Sequence, residues 1–223
     1  MTTPLNLIMV DLETTGTDPK KTEILEIGAV LVELDNGVMT PKKNFHAYIQ
    51  TDTPANPENP FVMKFQKHLY DKCNSLPKSE NLEKAKTNFN KFMGESFPNQ
   101  NPKVLNSLPQ FTGQNFSIFD SQYLLHYGFL KPSSHNEKNE ITAFYNYRSL
   151  ELQSYSIVLA QALGYESATE FMKYAASLDT EVVLPEGNAH TALYDCYQQI
   201  KGFNGVMKIL NLSQIAQTHR KAS

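Results

Sequence analysis

The stretch from Ile8 to Glu33, IMVDLETTGTDPKKTEILEIGAVLVE, decides how the rest of the chain is read. Leu7 to Val10 are all apolar and run straight into Asp11, with Glu13 two places later. An unbroken apolar run fits a strand covered on both faces, so Leu5 to Leu12 reads as a central strand. Residues two apart on a strand face the same side, so both carboxylates leave the sheet together. Two such anions, ~6–7 Å apart, repel unless something cationic lies between them. The competing reading has the strand fray at Val10 and leaves both acids solvated. Thr14, Thr15 and Gly16 follow, and hydroxyls with a flexible turn suit a small polar ligand.

Working outward, Ile24 to Leu34 reads as a second strand and Lys43 to Gln50 as a third. The short Asn36-Gly37 connection predicts antiparallel pairing. TPANPENPF, at 53–61, is a proline-rich bend. Leu82, Ala85, Phe89, Phe92 and Met93 recur at helical spacing, which predicts an amphipathic helix over roughly 80–94. LPQFTG reads as a short strand and SIFDSQYLLHYGF as a helix, with a polar loop over 132–141. YNYRSLEL is a further strand, leading into the helix SYSIVLAQALG, which Gly164 closes. Ser167 and Glu170 have capping-box spacing and open another helix to about Ser177. HTALYDCYQQIKGF is the last strongly periodic helix, with Leu193, Cys196, Ile200 and Phe203 inward. From about Asn204 the tail adds one further helix. Strands first, then strands alternating with helices, imply an α/β layered domain with a mixed sheet.

Two further acid clusters accompany the strand pair. Asp120 sits near the start of a helix between Phe119 and Leu124, where an acid commonly offsets the helix dipole. His190 and Asp195 are about 140° apart on an ideal helix, so they share a cleft only if His190 precedes the helix and Asp195 lies inside it. Gly187 and Asn188, a loop residue and a cap, favour that arrangement. Together these segments supply carboxylates at Asp11, Glu13, Asp120 and Asp195 and one imidazole. Hard oxygen ligands without cysteine favour magnesium or manganese over zinc. Two such cations ~3.5–4 Å apart stabilise the attacking and leaving oxygens of a phosphoryl displacement. A nearby imidazole can take the proton from the attacking water.

The 223 residues, 40% of them hydrophobic, suffice for a sizeable core, and the formal charge of −3 argues against a protein that coats duplexes by charge. Lys20-Lys21, Lys42-Lys43 and a C-terminal HRK are possible phosphate contacts, although surface lysines are usually only solvated. No basic segment leading an apolar run opens the chain, and no run reaches the roughly 18 apolar residues of a membrane span. Cys73 and Cys196 are far apart in sequence and read as reduced thiols of a cytoplasmic protein.

DLETTG and HTALYD, with FDSQYL between them, resemble the motifs of the DEDDh 3′–5′ exonucleases of the ribonuclease H-like fold. That group includes proofreading subunits of DNA polymerases, ribonuclease T and oligoribonuclease. The resemblance covers about Leu7 to Phe203. It implies a five-stranded mixed sheet, the second strand antiparallel to the rest, with helices on both faces. It implies a single exonuclease domain over 1–223, with a core of about 5–203 and a helical tail. Asp11, Glu13, Asp120 and Asp195 would hold two divalent cations, Mg2+ or Mn2+, and His190 would be the general base. Leu12, Thr14, Thr15 and Asn115 would contact substrate, the 3′ end of single-stranded DNA or RNA, with nucleoside 5′-monophosphates released. Homodimers are common among such relatives. The middle motif departs from the family's Gly-His-Asn: GQNFSIFD has Gln114 for His and one extra residue before Phe119. The rivals are a nucleic-acid-binding module with an inactive nuclease site, and a phosphatase or other phosphodiesterase using the same acids.

Overall fold

The computed structural model describes residues 4–51, 64, 66–101, 107–131, 134–135, 141–142, 145–187 and 189–222, with backbone alone at 134–135, 141–142, 147 and 212–222. The chain runs through β1 (Leu5–Thr14), β2 (Ile24–Asp35) and β3 (Val38–Tyr48), then α1 (Lys67–Asn74) and α2 (Leu82–Ser96). β4 (Gln110–Gly113) and α3 (Asp120–His126) follow, then the short strands β5 (Ser134–His135) and β6 (Ile141–Thr142). β7 (Asn146–Glu151), α4 (Leu152–Leu163), α5 (Ala168–Leu178) and α6 (Ala192–Ala222) complete it.

The main sheet has five strands in the order β3-β2-β1-β4-β7. β2 is antiparallel to β1 and β3, whereas β1, β4 and β7 pair in parallel. The β2–β3 hairpin turns at Asn36 (φ 48°) and Gly37 (φ 80°), the left-handed pair that a tight two-residue turn requires.

Strand alternation sorts the apolar residues onto two faces. Ile8, Val10 and Leu12 join Phe89 and Phe92 of α2 and Tyr123 and Leu124 of α3. Leu7 and Met9 face the other way, onto Leu152 of α4 and Cys196, Ile200 and Phe203 of α6. Helices therefore cover both faces, and the four α6 positions expected to point inward all join this packing. Phe89 is fully buried, so Phe89→Ala would cost ~3–5 kcal/mol. Both cysteines are buried free thiols. No helix among the described residues is long and apolar enough to cross a membrane.

Several elements differ from expectation. β1 continues through Thr14, so the strand does not fray at Val10. β3 begins earlier, at Val38, because its whole length is registered against β2. Within the expected 132–141 loop, β5 and β6 pair as a small antiparallel ladder. The tail is not a separate helix: α6 runs unbroken to Ala222. Within it a Cβ at Gly205 would lie 1.7 Å from the Ala175 carbonyl oxygen, and its absence lets α6 press directly on α5. The bend at 53–61 and the cap at Asn188 lie outside the described residues.

Candidate active site

The acids converge at the end of β1. Asp11 and Glu13 continue the side-chain parity of Leu7 and Met9, so they emerge on the α6 face. Glu13 is 6% exposed, which excludes a solvated strand end. Asp120 opens α3 and is 3% exposed; its carboxylate accepts from its own amide and from the backbone N–H of Leu12. Asp195 lies in the first turn of α6, and its Oδ2 accepts from the backbone N–H of His190 at 3.0 Å. His190 precedes the helix with left-handed backbone (φ 66°), which turns the chain back over the acids. One ring nitrogen of His190 and one carboxylate oxygen each from Glu13 and Asp195 lie within 4.8 Å of one another.

The electrostatics record the crowding. Burial, then the charges of Asp120, Glu13 and Asp195, push the Asp11 carboxyl well above its ordinary range. Burial, with Asp195 and Glu26 adding, raises Glu13 to about 8 against a hydrogen bond from Gln66. Asp120 is likewise raised to about 8 by burial, despite the two amides that stabilise its charge. Asp195 is raised by burial, and the His190 amide and charge oppose that shift.

Three residues around these acids were not singled out in the sequence. Gln199, one turn beyond Asp195, donates from Nε2 to Asp11 Oδ1 at 3.0 Å, and its Oε1 accepts from the Gln114 N–H at 2.8 Å. Gln66, just before α1, donates to Glu13 Oε2. Glu26 is fully buried opposite Glu13 across the β1–β2 pair, its Oε1 bonded to His46 Nε2 at 2.6 Å. An acid inside the apolar run of β2 was the one signal that could have flagged Glu26. Gln66 and Gln199 carry no such mark.

Of the expected substrate contacts, Leu12 is 5% exposed and packs in the core, so it offers the site only its backbone. The Thr14 hydroxyl donates to the Gly16 carbonyl, and the Thr15 hydroxyl accepts from the Glu23 N–H. Asn115 is half-buried in a left-handed turn (φ 62°) whose carbonyl accepts from Ile118 and Phe119 N–H groups. Among the lysines, Lys21, Lys42 and Lys43 pair with Asp18, Glu33 and Glu95.

This donor set fits divalent cations. Burial and neighbouring acid charge raise all four carboxyls, and among the described residues Glu26 Oε2 and Gln66 Oε1 are buried without a hydrogen-bond partner. Hard cations between the oxygens would relieve both conditions.

The comparisons agree with this architecture. Residues 8–108 match the ribonuclease T (RNase_T) family model, described as an exonuclease. That segment holds Asp11 and Glu13, and the fold brings Asp120, His190 and Asp195 to them. The match covers residues 8–108 of the 223, and that segment is similar to an exonuclease domain. Among solved structures the chain resembles cell-death related nuclease 4, with TM-score 0.56 and 13% identity over 92% of this chain and 64% of that one. It also resembles Exonuclease I from Methylocaldum szegediense, with TM-score 0.50 and 16% identity over 92% of this chain and 40% of that one. Exonuclease X in complex with 5′ overhanging duplex DNA aligns at TM-score 0.47 and 15% identity, over 91% of this chain and 92% of that one. The chain thus spans less than two thirds of the first two relatives, and identities this low describe the fold alone. A comparison with curated protein sequences found no match.

Proposed function

We propose that this protein is a divalent-cation-dependent exonuclease that shortens single-stranded nucleic acid from its 3′ end and releases nucleoside 5′-monophosphates. What supports this is one observation: Asp11, Glu13, Asp120 and Asp195 share one electrostatic environment, with His190 at its open side. Two bound cations, Mg2+ or Mn2+, would neutralise phosphate and carboxylate charge and make water a better nucleophile. The four acids are the residues to hold them.

His190 is exposed, so water reaches its ring, while its main chain is pinned to Asp195. In this role it takes a proton from water as the water oxygen bonds to the terminal phosphorus. The bond from phosphorus to the 3′ oxygen of the preceding nucleotide breaks, and that oxygen leaves with a proton from solvent. Thr14, Thr15, Leu12 and Asn115 flank the acids and would meet the terminal nucleotide through backbone groups and the β1–β2 turn.

The test compares 5′-labelled single-stranded DNA, long RNA and di- to pentaribonucleotides, with Mg2+ or Mn2+ supplied. The wild type should shorten its preferred substrate stepwise from the 3′ end, and Asp11→Ala should produce no ladder. An unchanged ladder from Asp11→Ala would remove the proposal. Free phosphate in place of nucleoside monophosphate would make the protein a phosphatase.

A further inference from the structure

We infer that the cavity between α5 and the first turns of α6 is a subsite for the nucleotide on the 5′ side of the scissile phosphate, its base read by the paired amides of Gln114 and Gln153. This rests on the exonuclease function proposed above. The cavity measures about 580 Å³, room enough for a nucleoside unit. Asp11, His190 and Asp195 are among its lining residues, so an occupant would adjoin the reacting phosphate. Thr14 and Thr15, proposed above to meet the terminal nucleotide, do not line it, so the terminal unit and an occupant of the cavity would take different places beside the acids.

The lining favours a base over a further phosphate. Met172 and Ala176 supply apolar wall, and Gln114, Gln153 and Gln198 supply amides. Two lysines line the wall: Lys201 spends its ammonium on the carbonyls of Asp179 (2.5 Å) and Val182 (3.1 Å) and so braces the structure, which leaves Lys173, exposed on α5, as a single cation. A phosphate subsite would call for converging cations or backbone N–H groups. Amides beside an apolar wall instead suit a base, whose faces are apolar and whose edges carry donors and acceptors.

The amide pair is indexed to the reacting centre. Gln114 Nε2 donates to Gln153 Oε1 at 2.6 Å, the Gln114 N–H donates to Gln199 at 2.8 Å, and Gln199 donates to Asp11 at 3.0 Å. A continuous set of hydrogen bonds therefore runs from the start of α4, through the β4–α3 loop and α6, to the strand acid. Each amide has further donor or acceptor positions beyond the one joining the pair. The departure of Gln114 from the family's histidine thereby acquires a use: it reaches α4 and builds a wall.

The test uses oligonucleotides with one abasic residue, either terminal or penultimate, in whichever sugar backbone the wild type degrades faster. The first readout is KM and kcat for the first cleavage. The second is anisotropy of the labelled strands with Ca2+, where binding is followed apart from turnover. For the wild type, a penultimate abasic residue should raise KM and weaken binding on the order of tenfold. In Gln153→Ala this intact-to-abasic ratio should fall towards one. Thr169→Trp, an exposed change at the cavity wall, should weaken binding of the intact strand while thermal unfolding stays unchanged. A wild type indifferent to the penultimate base, a ratio preserved in Gln153→Ala, or intact-strand binding unchanged in Thr169→Trp overturns the subsite alone. A wild type that cleaves and binds none of the strands overturns the exonuclease proposal with it.

Discussion

His190 holds a left-handed backbone conformation immediately before the helix that carries Asp195, and side chains other than glycine adopt it at a cost of ~1–2 kcal/mol. The hydrogen bond from its N–H to Asp195 helps fix that conformation. If the ring acts as a base, His190→Ala should lower turnover by roughly 10²–10⁴ while Mn2+ affinity, followed by calorimetry, survives. Because a ring nitrogen lies within 4.8 Å of Glu13 and Asp195 oxygens, an equal fall in affinity would make His190 a ligand instead. Gln199 invites a second substitution. It orients Asp11 through one hydrogen bond, and residues in that position typically govern 10- to 100-fold of metal affinity or activity, to within an order of magnitude. Gln199→Leu should raise the Mn2+ concentration for half-maximal activity by about that factor. An unchanged metal requirement would show that Asp11 keeps its orientation unaided.

At the scale of elements, the site depends on how closely α6 approaches the sheet. Gly28 pairs with Asp11 across the β1–β2 ladder, and a Cβ at Gly28 would lie 2.4 Å from the Ala192 carbonyl carbon. The first turn of α6 therefore rests on β2 backbone to backbone, which is what carries Asp195 to the strand acids. Gly28→Ala forces the helix outward, at a cost of ~1–3 kcal/mol in stability. It should lower the melting temperature by several degrees and weaken Mn2+ binding. Gly205→Ala serves as the comparison, because its clash with Ala175 lies further along the helix. It should destabilise the fold and leave the affinity of the remaining folded protein near wild type. Equal affinities in the two variants would separate the Gly28 contact from the site.

For the whole molecule, the raised carboxyls link folding to pH. Glu13 and Asp120 rise from 4.5 and 3.8 to about 8, so without metal the folded state binds more protons than the unfolded chain. That contribution to stability is fully present below pH ~4, where both states are protonated, and is lost as pH rises through about 8. In EDTA the melting temperature should therefore fall between about pH 5 and pH 9. Millimolar Mn2+ should restore it most at the alkaline end, since cations bind the deprotonated acids. Melting curves across that range check both statements, and a flat profile in EDTA would mean that the acids are solvated.

By itself the sequence determined the elements whose signal is local. The apolar run into Asp11 specifies β1, the two-residue parity sends Asp11 and Glu13 out on one face, and Asn36-Gly37 specifies the hairpin. The spacing of Leu193, Cys196, Ile200 and Phe203 likewise specifies the buried face of α6. Each follows from the geometry of a few neighbouring residues. Only the tertiary structure decided that Asp120 and Asp195 meet the strand acids, because that depends on strand order and on the glycine contact between β2 and α6. It also decided that α6 runs on past Asn204, and that Gln66, Glu26 and Gln199 surround the acids. A glutamine on a helix looks alike in sequence wherever it points; its partner, here 188 residues away, is chosen by packing between distant segments.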